Sequence, residues 1–426
     1  MIILLLVIAI GLLIVSFFIS NKDIISPPVI LCAVYVLSIS SAMYNIAAWR
    51  INLSEEAVLY ISSGMISFCI ISFITHKRFA YYTPTKILDT IILIPKSKLL
   101  FALLISIICY ILYVREINSF VGSFGSDYSL AMQQFREEFS YGDMKLSFVA
   151  NQAIKVLSAI AFVYIFIISN NISTNKSWKY KLLYLVPVVL LCHASLKSGV
   201  RAMSIQIFTM FLVFIIFFKR KYGHYDNKKV VKYILYIGGG SVLFLIAFSA
   251  IRYFVGRQND SDIMEYLTAY IGGSIQLFDL YLQSPNEVDT LGLETFGAFY
   301  NNLVKLGIID GKEQVMHMEF RYSNGILLGN VYTSFRAFHH DLGYWGIILF
   351  SAIEGFFFTY YYEKMKKLRR SQLISAPLIL YGVLSMPLFE HAIQEQFFRC
   401  YFCMNTIVTY ILLLLIIKIM KPVLYE

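Results

Sequence analysis

The chain has 426 residues, of which 58% are hydrophobic and 15% charged, and its mean hydropathy is +0.67. These values lie far outside the range of soluble globular domains, and they predict an all-α polytopic membrane protein. The formal net charge of +10 would suit a nucleic-acid-binding protein only if the basic residues formed a binding face.

Apolar runs that approach the length of a membrane-spanning helix recur along the whole chain. We count about eleven of them, which predicts 11–12 transmembrane helices at roughly 20 residues each. The first run has no positive residue ahead of it and no cleavage pattern after Ser20, so we expect a retained helix. The runs are centred in residues 1–19, 25–44, 56–75, 98–114, 148–169, 181–193, 202–218, 231–250, 342–361, 373–389 and 401–417.

The basic residues are concentrated in alternate loops. Most of the 36 Lys and Arg residues lie in one set of connections, whereas most acidic residues lie in the other set. The positive-inside rule makes the basic set cytoplasmic and places the N-terminus outside. We therefore interpret the charge as a topology signal, and we expect the lipid bilayer, not nucleic acid, as a partner. The basic connections are 20–24, 76–98, 170–181, 219–232, 363–372 and the C-terminal tail.

One outer segment, residues 251–340, is much longer than the other loops and is predicted to carry the function. Within it, residues 263–282 are nearly apolar enough to cross the membrane, but a crossing would reverse the topology downstream. We expect this part to be interfacial or re-entrant. Its many aromatic residues suit either a membrane-surface belt or platforms that stack on sugar rings.

Several familiar chemistries have no sequence signature here. Cys400 and Cys403 form a CxxC pair without a second pair or suitably spaced histidines, and no phosphate-binding glycine loop occurs. HAIQE at 391–395 has the wrong spacing for a zinc protease. We expect no metal and no cofactor, and we interpret residues 1–426 as a single transmembrane domain.

Positive charges on the predicted outer side need a separate explanation. Lys197 and Arg201 lie one helical turn apart at an outer helix end, Arg252 and Arg257 follow the run 231–250, and Arg336 precedes the run 342–361. Each could anchor a helix end by reaching to the membrane surface. Together they favour an anion site, since arginine offers paired, permanently charged donors to phosphate oxygens.

The stretch VYTSFRAFHHDLGYWG, residues 331–346, places several polar side chains next to Arg336. If a helix runs from here to residue 361, His339 and His340 share a face with Arg336, and Tyr332 lies one turn before it. Asp341 could orient a histidine that removes a proton from a hydroxyl. The histidines could instead form an interfacial pair bound to backbone or lipid head groups.

These residues resemble the oligosaccharide repeat unit polymerases, the Wzy-type O-antigen polymerase family. The resemblance rests on SGVRA at 198–202, on the long outer loop and on NVYTSFRAFHHDLGYWG at 330–346. The latter is similar to the family's pattern of Asn, Tyr-Thr, an arginine and Asp-x-Gly-x-x-Gly. The matching positions are Arg201, Asn330, Tyr332, Thr333, Arg336, Asp341, Gly343 and Gly346.

The resemblance implies a GT-C-like, metal-independent glycosyltransferase of the bacterial inner membrane with its active site facing the periplasm. It would transfer the growing glycan from undecaprenyl diphosphate to the terminal sugar of the next lipid-linked unit. A chain-length regulator is the protein partner that this suggests. The expected catalytic residues are His340, Asp341, Arg336 and Arg201, and the expected substrate-binding residues are Arg252, Arg257, Lys197, Tyr332, Asn330 and His339.

Two other functions stay open from the sequence. An O-antigen ligase would share the chemistry and differ in its acceptor. A flippase or other transporter of lipid-linked oligosaccharide would be non-enzymatic, and Glu354 is the clearest acid within a predicted span. Transporters often show related halves, and the sequence has no evident internal repeat.

Overall fold

The structure is a computed structural model of the whole chain. It describes residues 1–80, 87–125, 128–141, 144–174, 176–178, 181–199, 202–226, 232–233, 235, 239–240, 263–285, 291–314 and 316–425. The protein is mostly helical, at 74%.

The described α-helices and β-strands follow one another along the chain in a mainly helical order. They are α1 (Ile2–Ile19), α2 (Pro27–Tyr44), α3 (Ile46–Trp49), α4 (Glu55–Phe79), β1 (Ile91–Leu93), α5 (Lys96–Ser123), α6 (Tyr128–Tyr141), α7 (Phe148–Ser173), α8 (Lys181–Lys197), α9 (Ala202–Lys221), α10 (Ile263–Gln283), α11 (Gly297–Lys305), β2 (Arg321–Ser323), β3 (Ile326–Gly329), α12 (Phe335–Lys366), α13 (Ala376–Leu384), α14 (Met386–Glu390), α15 (Met404–Met420) and β4 (Val423–Tyr425).

Within the described ranges, seven helices are long and apolar enough to cross a membrane: α1, α2, α4, α5, α7, α9 and α12. This confirms a polytopic membrane protein. Three further predicted runs form shorter helices, namely α8, the pair α13–α14 and α15. Most of the run 231–250 lies outside the described residues. A total of 11–12 crossings therefore stays a prediction.

The chain groups into two compact units. Unit 1 contains Met1–Thr83, Ser261–Lys367 and Pro387–Thr406, and unit 2 contains Pro84–Asp260, Leu368–Met386 and Ile407–Glu426. Each unit has its own core of packed helices.

Unit 1 is built around α4 and α12, which run side by side in the same direction. Hydrogen bonds join the two helices at successive levels, from Ser67 Oγ to Ile348 O (2.8 Å) and then from Ser72 Oγ to Gly355 O (3.3 Å). A Cβ atom at Gly355 would lie 2.6 Å from the carbonyl oxygen of Phe68. The glycine thus permits the close approach of the two helices.

Helix α10 packs along α2 in the same direction. Ser38 Oγ donates to Ile271 O (2.8 Å), and a Cβ at Gly272 would lie 2.4 Å from the backbone nitrogen of Ala42. Further along, Asp279 accepts from the backbone N–H of Ser54 (2.9 Å). Packing against the apolar helix α2 favours a position of α10 within the membrane. Whether α10 is interfacial or re-entrant stays a prediction.

Unit 2 packs α5, α8 and α9 around α7, which is largely buried. Strands β1 and β4 pair antiparallel, so that the end of the described chain adds to this unit. Asn171 at the end of α7 bonds both the N–H (2.8 Å) and the C=O (2.9 Å) of Ile92, which satisfies the edge of this short sheet.

The basic loops of unit 1 meet at one of its ends. Tyr362 donates to Asp23 (2.8 Å), and His76 pairs with Glu363 (2.8 Å), which also pairs with Lys366. The described parts of three predicted cytoplasmic connections that belong to unit 1, residues 20–24, 76–80 and 363–367, therefore share this end of unit 1. The opposite end holds the start of α4 and the start of α12.

We predict that this arrangement is visible in cysteine labelling. In a variant without the six native cysteines, Lys22→Cys, Lys77→Cys and Lys367→Cys should react with an impermeant reagent from the same membrane side. Lys312→Cys, in the long outer segment, should react only from the opposite side. Labelling of positions 22 and 367 from opposite sides would contradict the fold of unit 1.

Candidate functional site

Helix α12 is broken at Gly343, which corrects the prediction of one continuous helix from residue 331 to residue 361. The helix begins only at Phe335, and Gly343 has φ 59° and ψ −150°, a conformation that is essentially restricted to glycine. A Cβ at Gly346 would lie 2.1 Å from the carbonyl oxygen of Phe338. The segment 335–342 therefore folds back against the segment that follows.

This fold-back carries Arg336 into the interior of unit 1, where the side chain is 1% exposed. Its guanidinium lies 4.1 Å from the ring centroid of Tyr332 and 4.8 Å from that of Tyr281. Both distances suit cation–π contacts. An arginine in this position does not reach lipid head groups, so the structure does not support the membrane-anchor interpretation of Arg336.

Two carboxylates balance the charge of Arg336. Nη2 donates to Glu294 Oε1 (3.1 Å) and to Glu319 Oε2 (2.7 Å). Burial by itself would raise the pKa of Glu319, but the hydrogen bond and charge of Arg336 outweigh it and lower the pKa to about 2. Tyr332 also donates to Glu319 (3.1 Å), and burial raises the pKa of this phenol.

The arginine retains unused donors. Nε and Nη1 of Arg336 are buried and have no hydrogen-bond partner in the part of the chain that the structure describes, and the same is true of Glu294 Oε2 and Thr333 Oγ1. A buried polar atom without a partner costs on the order of 1–3 kcal/mol. Two unpartnered donors on one buried guanidinium, beside an unpartnered oxygen of the Glu294 carboxylate that pairs with it, are typical of a site that a polar ligand or water completes.

The backbone of Glu294 is held from two directions. Asp341 accepts from the N–H of Thr295 (2.8 Å) and more weakly from the N–H of Glu294 (3.4 Å), while Arg399 donates to the carbonyl of Glu294 (3.1 Å). Both oxygens of Asp341 are thus engaged. This carboxylate fixes the loop that delivers Glu294 to Arg336.

The two histidines lie beside this cluster. His339 Nδ1 is 3.5 Å from the hydroxyl of Tyr281, and its ring packs 5.2 Å from that of Tyr60. His340 Nδ1 lies 3.4 Å from Asp341 Oδ1, at the long end of a hydrogen bond. The expected neighbourhood of His340 and Asp341 is therefore present in the structure.

The other predicted site residues fall in different parts of the chain. Asn330 directly follows strand β3 in unit 1, and Lys197 belongs to unit 2, where its ammonium lies 4.9 Å from the ring of Tyr128. Arg201, Arg252 and Arg257 lie outside the described residues. The convergence of the outer arginines therefore stays a prediction.

Sequence reasoning missed the residues that surround Arg336. Glu294 and Glu319 are far from His339, His340 and Asp341 along the chain, and Arg399 borders a segment that was predicted to be apolar. Tyr281, by contrast, is one of the aromatic residues of the long outer segment to which the sequence did point. The signal that the sequence did carry was that acidic residues accumulate in the long outer segment. Nothing in their spacing says which of them faces the arginine.

In the comparisons with known proteins, no family model, curated protein or solved structure matches the chain.

We predict that Gly343→Ala destabilises unit 1 by about 1–3 kcal/mol, because alanine at this φ and ψ is strained. Thermal unfolding in detergent measures the effect. Gly11→Ala is the matched control, since Gly11 lies within α1 with open space around it, and alanine there should be neutral or stabilising by up to about 1 kcal/mol. Equal effects of the two substitutions would contradict the assigned break.

The ion pair of Glu319 predicts a pH dependence of stability. The folded-state pKa is lowered from 4.5 to about 2, so the pair stabilises the fold above pH 4.5 and this contribution is lost as the pH falls through about 2. The Tm advantage of the wild type over Glu319→Gln should therefore shrink over this range. Glu313→Gln, in an exposed pair with Lys305, should change Tm little at any pH. A pH-independent advantage would contradict the prediction.

Proposed function

We propose that the protein is a membrane glycosyltransferase that polymerises lipid-linked oligosaccharide repeat units. It transfers the growing glycan from undecaprenyl diphosphate to the terminal sugar of the next lipid-linked unit at the periplasmic face of the inner membrane. The architecture is proposed to be GT-C-like, with about 11–12 crossings. The observation that carries this proposal is a buried arginine, Arg336, with two unpartnered donor nitrogens among the described residues of a protein rich in apolar helices.

The chemistry of a lipid diphosphate fits the surroundings of Arg336. In the proposed site, Nε–H and Nη1–H of Arg336 donate to diphosphate oxygens, while Nη2 remains with Glu294 and Glu319. Low exposure strengthens these interactions, and donors that are already in place stabilise charge that develops on the leaving group. The partly exposed ring of Tyr60 offers an apolar face on which a sugar ring stacks.

The proposed reaction is a single displacement. A hydroxyl oxygen of the acceptor sugar forms a bond to the anomeric carbon of the donor, and the bond from that carbon to the diphosphate oxygen breaks. The imidazole of His340, whose Nδ1 lies 3.4 Å from Asp341 Oδ1, is proposed to take the hydroxyl proton. General-base catalysis of this kind contributes on the order of 10²–10⁴-fold.

Two alternatives share part of this support. A ligase would use the same donor site with a different acceptor. A transporter of lipid-linked oligosaccharide is favoured by a specific feature of unit 1, namely the irregular backbone of residues 391–396 and the π-helical turn Phe397–Tyr401 in its interior. Broken helices of this kind surround transport sites in many carriers.

The experiment that separates these functions is deletion followed by complementation. A strain that lacks the protein should carry surface glycan capped with a single repeat unit, because flipping and ligation continue without chain extension. Loss of even the single unit would support the ligase or the transporter. Long chains of normal length would contradict all three.

Complementation with Arg336 variants tests the site itself. Arg336→Ala should abolish chain growth, and Arg336→Lys should restore little of it, since an ammonium keeps the charge but loses the planar set of donors. His340→Ala should reduce polymerisation by at least about 100-fold, as expected for a lost base. Arg50→Lys, an exposed arginine in unit 1, is the matched control and should be fully active. Normal chains with Arg336→Ala at wild-type protein levels would exclude the proposed donor site.

A further inference from the structure

A second set of titratable side chains lies in the interior of unit 1, apart from the contacts of Arg336. The hydroxyl of Tyr35, on α2, is 3.0 Å from His391 Nδ1, and His391 Nε2 is 2.9 Å from Glu354 Oε2 on α12. The three residues are 0%, 2% and 1% exposed. Burying a carboxylate and an imidazole in the protein interior is costly in free energy, so their presence there suggests a function.

His391 begins a stretch of irregular backbone that neighbouring side chains satisfy. Its carbonyl accepts from the N–H of Ser334 (3.0 Å) and lies 3.3 Å from the hydroxyl of Tyr35. Ser274 donates to the carbonyl of Ala392 (2.6 Å). Irregular backbone within an apolar layer is tolerated only when such partners are present. Hydrogen bonds therefore hold both the backbone and the imidazole ring of His391 in place.

The hydroxyl of Tyr35 can serve two protonation states of His391. When the imidazole is neutral and its Nε2–H donates to Glu354, Nδ1 accepts the hydroxyl proton of Tyr35. When Nδ1 takes up a proton from solution, Nδ1–H donates to the Tyr35 oxygen, and the Tyr35 hydroxyl turns to the carbonyl of His391. A hydroxyl both donates and accepts, so each state keeps its hydrogen bonds.

Proton uptake changes the charge that the pair carries. A neutral imidazole beside an ionised Glu354 leaves one net negative charge in the interior, whereas the protonated pair is neutral overall. The titratable groups that face the pair or lie next to it are Tyr35 and Cys32 on α2, Cys69 on α4, Glu354 on α12, and Glu390, Glu395 and Arg399 on the segment after α13.

Of these groups, Glu395 accepts from the backbone N–H of Phe398 (2.8 Å) and of Arg399 (2.7 Å). The guanidinium of Arg399 donates to the carbonyls of Glu294 and Met316. The donors of Arg399 are thus directed at backbone oxygens. His391 is the group that contacts Glu354 through a hydrogen bond.

The pair is connected to the segment that carries Arg336. Ser334, whose N–H is held by the carbonyl of His391, directly precedes this segment. The ring of Phe335 stacks on Tyr35 at 5.4 Å and meets the edge of His391 at 5.2 Å. In the protonated state the same carbonyl accepts from both Ser334 and Tyr35, so the state of His391 reaches the residue that precedes the segment 335–342.

We propose that His391, held between Tyr35 and Glu354, is a buried proton-binding site and that proton uptake tightens the helical segment 335–342. The proposal goes beyond the glycan chemistry, because it concerns a ligand, the proton, and a conformational response that exist whatever reaction Arg336 serves.

Hydrogen–deuterium exchange of the purified full chain in nanodiscs tests the proposal. After correction for the intrinsic pH dependence of exchange, a peptide spanning 334–342 should exchange at least about tenfold more slowly at the acid end of the range from about pH 5 to about pH 9. His391→Gln, which cannot take up a proton, should abolish this difference. Glu354→Gln should move the transition to lower pH, since the negative charge in contact with the imidazole is gone.

His193→Gln is the matched control. His193 Nδ1 is 2.8 Å from the hydroxyl of Tyr110 in unit 2, so the control removes the same type of pair at an exposed position, and the transition at 334–342 should be unchanged. A wild-type protein without the pH-dependent difference would overturn the proposal, as would the same difference in His391→Gln. If His391→Gln does not fold, an unshifted transition in Glu354→Gln overturns it equally.

Discussion

The ion pairing of Arg336 is the interaction on which the candidate site depends. A guanidinium that is 1% exposed is stable only when opposite charges and aromatic faces replace its hydration, and here Glu294, Glu319, Tyr281 and Tyr332 do so. The glutamates come from loop positions with no regular structure of their own. Asp341 and Arg399 hold the backbone around Glu294, and the ion pairs with Arg336 connect both glutamates to α12.

Gly343 makes this arrangement possible. Because the chain reverses there, the segment 335–342 packs against the part of α12 that follows, and Arg336 is directed into the protein interior and not along a helix toward the membrane surface. Gly346 permits the close contact with Phe338, and Asp341 fixes Thr295 and Glu294. The three fixed positions of Asp-x-Gly-x-x-Gly thus have structural roles in this chain. Asp341 holds the loop backbone, Gly343 permits the break in the helix, and Gly346 permits the close contact with Phe338.

Unit 1 contains a second interruption of helical structure, from His391 through the π-helical turn that ends at Tyr401. Ser334, which directly precedes α12, bonds the carbonyls of His391 and Gln394, so the second interruption contacts the start of the segment 335–342. Straight helices alone would satisfy their own backbone and leave no polar groups for a ligand. The two interruptions place polar groups inside an otherwise apolar bundle, and they depend on the hydrogen bonds that Tyr35, Ser274 and Ser334 supply.

The sequence by itself determined the class of the protein and the positions of its long apolar helices, and it predicted a common membrane side for the basic loops, because hydropathy and charge act over local stretches of chain. It also singled out Arg336, His340 and Asp341. The break at Gly343, the burial of Arg336 and its pairing with Glu294 and Glu319 were decided only by the tertiary structure. A glycine in a helical pattern does not reveal its dihedral angles, and the partners of a buried charge are chosen by packing between segments far apart in the chain.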